Sequence, residues 1–150
     1  MKKILIALNF GSAAQTVART GFEIASAMNA EVLLVHVVND RFEYDLPLDI
    51  VGLENVRTVL KYKNITEIKA QASCFLAAIA AQLGGMNSRF VVTEGETVET
   101  IVATGTSEKA NLIVIGSHRF TGSKRRSHSY TASVILNRSK IPLLTVPISG

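Results

Sequence analysis

The chain has a single cysteine, so no intrachain disulfide can form. Cys74 lies in the apolar, helix-patterned segment CFLAAIAAQL, and we expect a buried, inert thiol there rather than a nucleophile. Acidic residues also run out: none follows Glu108. A serine or cysteine nucleophile needs a base and a group that orients the base, and the last 42 residues offer no carboxylate for that purpose, although His128 stands between Ser127 and Ser129. No apolar run approaches the ~20 residues that cross a bilayer. The opening Met-Lys-Lys followed by ILIAL imitates a signal peptide only briefly, with no small-residue cleavage site after it. We expect a cytoplasmic protein without a membrane span.

Glycine is sparse where nucleotide motifs need it. NFGSAAQ, after the first apolar run, has one glycine where a dinucleotide fingerprint has three, and no G-x-x-x-x-G-K-[ST] occurs. A phosphoacceptor receiver domain would carry acids where this chain has Ala7, Leu8 and Asn9. The three histidines, His36, His118 and His128, show no metal-ligand spacing. His36 alternates among valines and reads as a hydrogen-bonded core histidine.

What is present fits one globular domain over 1–150, with 47% apolar and 19% charged residues. Its charge is uneven. Residues 1–108 hold nine Lys/Arg against all twelve acids, a net of −3, whereas residues 109–150 hold seven Lys/Arg and no acid, a net of +7. Such a field favours phosphate-bearing or acidic partners. Nucleic acid is not indicated, because no aromatic interleaving or recognition motif accompanies the cations.

Periodicity alternates along the chain. Lys3 to Asn9 is a nearly continuous apolar run of the kind a doubly covered strand shows. Ser12 to Met28 places Ala13, Val17, Thr20, Ile24 and Ala27 on one helical stripe, with Gly11 and Ser12 at its start. Glu31 to Val38 is a strand, Asn39 to Val51 a loop, and Leu53 to Leu83 a helix stopped by Gly84-Gly85. Ser88 to Thr93, Asn111 to Ile115 and Pro142 to Ile148 read as strands, and Thr97 to Glu108 and Ser129 to Arg138 as helices. This alternation predicts an α/β fold, an open five-stranded parallel sheet with helices on both faces. Ligands of such sheets bind beyond the carboxyl ends of the strands. That singles out Ala7 to Ser12, Val37 to Asp40 and the loop GSHRFTGSKRRSHSYTAS that begins at Gly116.

The segments ILIALNFGSAA, EVLLVHVV, VTEGETVETIV, and NLIVIGSHRFTG leading to SVILNRSKIPLLTVP resemble the universal stress proteins over the full length of the chain. The resemblance implies the three-layer, nucleotide-hydrolase-like sheet just described and a homodimer formed by pairing the final strands, Ile141 to Ile148 here, across a two-fold axis. Family members that bind ATP carry G-x-x-G-x9-G-[ST] after the fourth strand, where glycines let the backbone approach phosphate and the last Gly-Ser opens a helix toward it. Laid on this chain, the pattern starts at Gly116, and its other positions fall on Arg119, Ser129 and Tyr130. The aspartate those members carry at the end of the first strand is Asn9 here.

The resemblance therefore implies a regulatory, stress-related dimer whose ATP loop is altered, with ATP bound weakly or not at all, no required cofactor, slow ATPase activity at most and an unidentified regulatory protein partner. It equally allows ATP (with Mg), AMP or cAMP in a site rebuilt by side chains. Ala7, Leu8, Asn9 and Val38 would then hold adenine and ribose, and Gly116, Ser117, His118, Arg119, Gly122, Ser129, Tyr130 and Thr131 the phosphates, assisted by Lys124, Arg125 and Arg126.

Overall fold

Strand β1 (Lys3–Ala7) is apolar along its length because it occupies the middle of a sheet covered on both faces. The computed structural model describes residues 2–9, 11, 13–38, 65–84, 87–118 and 127–148. After β1 come α1 (Ala14–Met28), β2 (Glu31–Val38), α2 (Ile65–Leu83), β3 (Ser88–Glu94), α3 (Thr97–Ser107), β4 (Leu112–His118), α4 (Ser127–Arg138) and β5 (Leu143–Ile148). The strands form one sheet in the order β3-β2-β1-β4-β5, and every pair is parallel. The expected five-stranded α/β fold is the observed one. The expected loop 39–51 and the first part of the expected helix, 53–64, lie outside the described residues.

Successive strand residues point to opposite faces and so sort into two cores. Ile4, Ile6, Leu8, Val32, Leu34 and Val114 pack with α1 and with Leu76 and Ile79 of α2. Leu5, Ala7, Leu33, Val35, Val37, Ile113 and Ile115 pack with Val98 and Ile101 of α3 and with Ala132 and Ile135 of α4.

Three sequence expectations need correction. The buried face of α1 is Ala14, Val17, Ala18, Gly21 and Ala25, so of the expected stripe only Val17 is buried. Small residues set this choice: a Cβ at Gly21 would run into Ile6 Cδ1, and the helix lies close on β1 along that row. Cys74 is exposed, because α2 buries Ala72, Leu76 and Ile79 and turns position 74 outward. Finally, β4 continues to His118, so Gly116, Ser117 and His118 are strand residues rather than the start of a loop. Their pairing with Val146, Pro147 and Ile148 of β5 draws them into the ladder.

The amino-terminal ends of the strands are tied by charge. Lys3 Nζ lies 3.0 Å from Glu108 Oε2 and 3.4 Å from Glu31 Oε1, and Arg89 Nη2 lies 2.8 Å from the same Glu108 oxygen. These two cations hold the Glu108 carboxyl below its usual range.

Candidate functional site

The sheet order fixes where a ligand would enter. From β1 the chain moves outward through β2 to β3, then crosses to β4 and β5 on the other side of β1. The carboxyl ends of β1 and β4 therefore flank the point where strand order reverses. Ala7 closes β1 with Val35 on one side and Ile115 on the other. Leu8 extends the line, its amide donating to Val35 O at 2.9 Å, and half-buried Asn9 follows directly. Val38 ends β2, buried, and its carbonyl accepts from the Gly95 amide at 3.1 Å.

His36 anchors this edge from below. It is 2% exposed, and its Nδ1 lies 2.7 Å from Leu8 O, a contact that places the ring proton on Nδ1 because a carbonyl can only accept. Burial lowers its pKa, with the Leu8 bond opposing in part, so the ring is neutral at physiological pH. Its expected place as a hydrogen-bonded core residue holds. That it fixes the exit of β1 one residue before Asn9 was not legible, because the bond joins residues 28 apart in sequence.

On the β4 side, Gly116 and Ser117 are half-buried. A Cβ at Gly116 would run into Ile148 Cδ1 and come within 3.0 Å of Val17 Cγ2. The space above this glycine is thus taken by the end of β5 and by α1, and a packing need accounts for the residue without a ligand. Helix α4 starts at Ser127, so Ser129 and Tyr130 stand in its first turn and Ser129 is not the residue before the helix. Thr131, half-buried, follows in the same helix. Arg119 and Gly122, with Lys124, Arg125 and Arg126, lie outside the described residues. The described members, Ala7, Leu8, Asn9, Gly116, Ser117 and His118, meet at the ends of neighbouring strands, with Val38 one strand further on.

Asn9 offers an amide without charge, and buried His36 is engaged with Leu8. Among the described residues, no three His, Cys, Asp or Glu side chains converge as metal ligands do. A separate groove of about 310 Å³ lies between α1 and α2, lined by Gln15, Phe75, Ala78, Ile79 and Gln82 with Gly11; it contains neither the β1 end (Ala7, Leu8, Asn9) nor the β4 end (Gly116, Ser117, His118).

The family model for universal stress proteins matches residues 1–147. The chain belongs to the universal stress protein family. No curated protein matches its sequence. Among solved structures, hypothetical protein MJ0577 superposes with a TM-score of 0.72 at 23% identity, over 99% of this chain and 97% of that one. A universal stress protein in complex with cAMP superposes at 0.63 with 18% identity, covering 97% of this chain and 96% of that one. A universal stress protein from Archaeoglobus fulgidus in complex with dAMP does so at 0.60 with 15% identity, covering 97% of both. At these identities the likeness is one of fold. Among the described residues, no helix is long and apolar enough to cross a membrane.

Proposed function

We propose that this universal stress protein is a cytoplasmic regulatory homodimer that binds an adenosine monophosphate, AMP or cAMP, at the carboxyl ends of β1, β2 and β4, and binds ATP weakly or not at all. The observation that carries this reading is the meeting of the β1 end (Ala7, Leu8, Asn9) with the β4 end (Gly116, Ser117, His118) where strand order reverses. Two structures of the same fold are in complex with adenine mononucleotides, one with cAMP and one with dAMP.

The monophosphate preference follows from what has been replaced. Close approach of a long phosphate chain to backbone amides needs glycine, and Arg119, Ser129 and Tyr130 stand where ATP-binding members use glycine or a small hydroxyl residue. One phosphate is within the means of Ser117, Ser129 and Thr131 hydroxyls with Arg119 and Gly122, supplemented by Lys124 to Arg126. Ala7, Leu8, Asn9 and Val38 would receive adenine and ribose, with Asn9 accepting from a ribose hydroxyl. His118 and Tyr130 would border the phosphate. Magnesium would enter only with ATP. Nucleotide occupancy is then a signal read by a protein partner rather than a step in turnover, since no residue among the described ones is placed as a general base.

Calorimetric titration of nucleotide-free protein tests this. AMP or cAMP should bind in the micromolar range and Mg-ATP at least about tenfold more weakly, a difference of about 1.4 kcal/mol. Asn9→Asp should change affinity for the ribose-bearing ligands while leaving the fold intact. Absence of heat with all three nucleotides at high protein concentration removes the reading.

A further inference from the structure

Seven cations follow Glu108. Four, Arg119, Lys124, Arg125 and Arg126, lie outside the described residues. The other three stand at the amino-terminal ends of the strands: Lys109 in the turn into β4, Arg138 at the end of α4, and Lys140 in the link to β5. Lys2 precedes β1, the neighbour of β4, and joins them on this edge. Backbone bonds hold the connecting segments together, from Asn111 N to Lys3 O at 2.8 Å and from Ile113 N to Pro142 O at 2.9 Å.

The acids of this edge, Glu31 and Glu108, are engaged by Lys3 and Arg89 on the β3-β2-β1 side. Lys2, Lys109, Arg138 and Lys140 are exposed, and none has a carboxylate partner among the described residues. In the last turn of α4, two residues before Arg138, Leu136 is 65% exposed, the most exposed large apolar side chain among the described residues.

Lys109 adds an independent signal. Its φ is 56°, in the left-handed region, as it closes α3 with its amide on Thr106 O and the Ala110 amide on Gly105 O. Glycine is the usual residue at such a helix end, and asparagine is tolerated, as at Asn29 after α1. A lysine is held there against the local preference while its charge has no carboxylate partner among the described residues. Breaks of a local rule without structural compensation cluster at functional positions.

We propose that this edge is a docking surface for an acidic protein segment bearing a large apolar side chain, with carboxylates over Lys2, Lys109, Arg138 and Lys140 and the apolar group against Leu136. Charge complementarity selects the partner's sign. The exposed leucine selects a protein, since an apolar anchor amid polar contacts is a feature of protein interfaces. Segments 1–3, 108–112 and 136–143 contain no aromatic ring on which bases could stack, which disfavours nucleic acid. One leucine buries too little to seat the protein on a membrane.

The test uses the full chain and a fluorescein-labelled Glu-rich peptide carrying leucine, followed by anisotropy at low and moderate salt. The peptide should bind, more weakly as salt rises. The triple variant Lys109→Gly, Arg138→Gln, Lys140→Gln should lose about tenfold in affinity, two- to threefold per exposed charge pair. Lys109→Gly alone should weaken binding while raising the melting temperature, which separates docking from a failure to fold. Leu136→Ser should lower affinity without changing the salt dependence. The triple variant Lys124→Gln, Arg125→Gln, Arg126→Gln should bind as the parent does. The proposal is overturned if the peptide does not bind, or if affinity follows residues 124–126 instead of the edge. It is also overturned if a single-stranded oligonucleotide or phosphatidylserine vesicles bind more tightly with the same dependence on the edge cations, or if removing these cations changes melting temperature alone, as helix-end charges would.

Discussion

The neutrality of His36 is a stability statement. Its folded pKa is lowered by burial, so the native state takes up a proton less readily than the unfolded chain. The associated stability is complete above the unfolded value of about 6.5 and is lost progressively as pH falls below it. Urea midpoints measured from pH 8 downward should therefore begin to fall near that value. His36→Gln, which keeps a donor but cannot be charged, should lower stability by about 1–2 kcal/mol at pH 8 through imperfect packing. It should also flatten the decline below pH 6.5; a decline as steep as the parent's would assign the titration to another group. At this scale the sequence was partly legible. Alternation among valines identified His36 as internal, but its carbonyl partner depends on where β1 ends against β2. Cys74 was misplaced because an alanine-rich helix gives little contrast between faces: with Ala on several sides, the stripe that faces the sheet is decided by Leu76 and Ile79.

Gly116 illustrates what becomes visible only between elements. Its spacing pattern drew attention as a phosphate-approach position, yet the β4-β5 register and α1 explain it by packing. Gly116→Ala should cost about 1–3 kcal/mol, the range for overpacking. Ile148→Val removes the methyl in the way and should recover much of that loss in the double variant, as a thermal-melt double-mutant cycle will show. Loss of nucleotide binding in a Gly116 variant is informative about the site only when the rescued double variant is compared with it. Strand lengths were legible to within a few residues wherever both faces are buried. The end of β4 was missed because Ser117 and His118 are polar, and pairing with β5 keeps them extended.

Lys3 of β1 and Arg89 of β3 converge on one carboxylate at the end of α3. Glu108 accepts from Lys3 and Arg89 and is held below its usual pKa by them, with the Arg89 hydrogen bond the larger cause. A depressed carboxyl pKa contributes stability above the unfolded value of 4.5, lost as pH falls through the lower folded value. Glu108→Gln should thus be less stable than the parent at neutral pH and converge with it in acid, as paired denaturation curves at pH 7 and near pH 3 will show. A constant difference across that range would mean that packing, rather than charge, is what the substitution removes.

For the whole molecule the proposed dimer turns on which sheet edge would meet a second subunit. The alternation of apolar strands and helices made the parallel sheet legible, but edges depend on strand order, which local patterns do not encode. Both edges are apolar in part. On β3, Phe90 and Val91 are 41% and 39% exposed, flanked by Arg89 and Glu94. On β5, Val146 is buried, Leu143, Leu144 and Ile148 are half-buried, and Thr145 and Pro147 are exposed. Charges guard β3 against edge-to-edge pairing, whereas β5 carries none between Leu143 and Ile148, and only Pro147 withholds a donor. The proposed two-fold pairing through Ile141 to Ile148 therefore predicts opposite outcomes for two matched substitutions. Thr145→Lys brings like charges together across the axis and should shift the protein to monomer at tens of micromolar in size-exclusion with light scattering. Raising salt should restore part of the dimer by screening. Val91→Lys should leave the dimer intact. If instead Val91→Lys dissociates it and Thr145→Lys does not, the subunits meet through β3, and the β5 assignment is withdrawn.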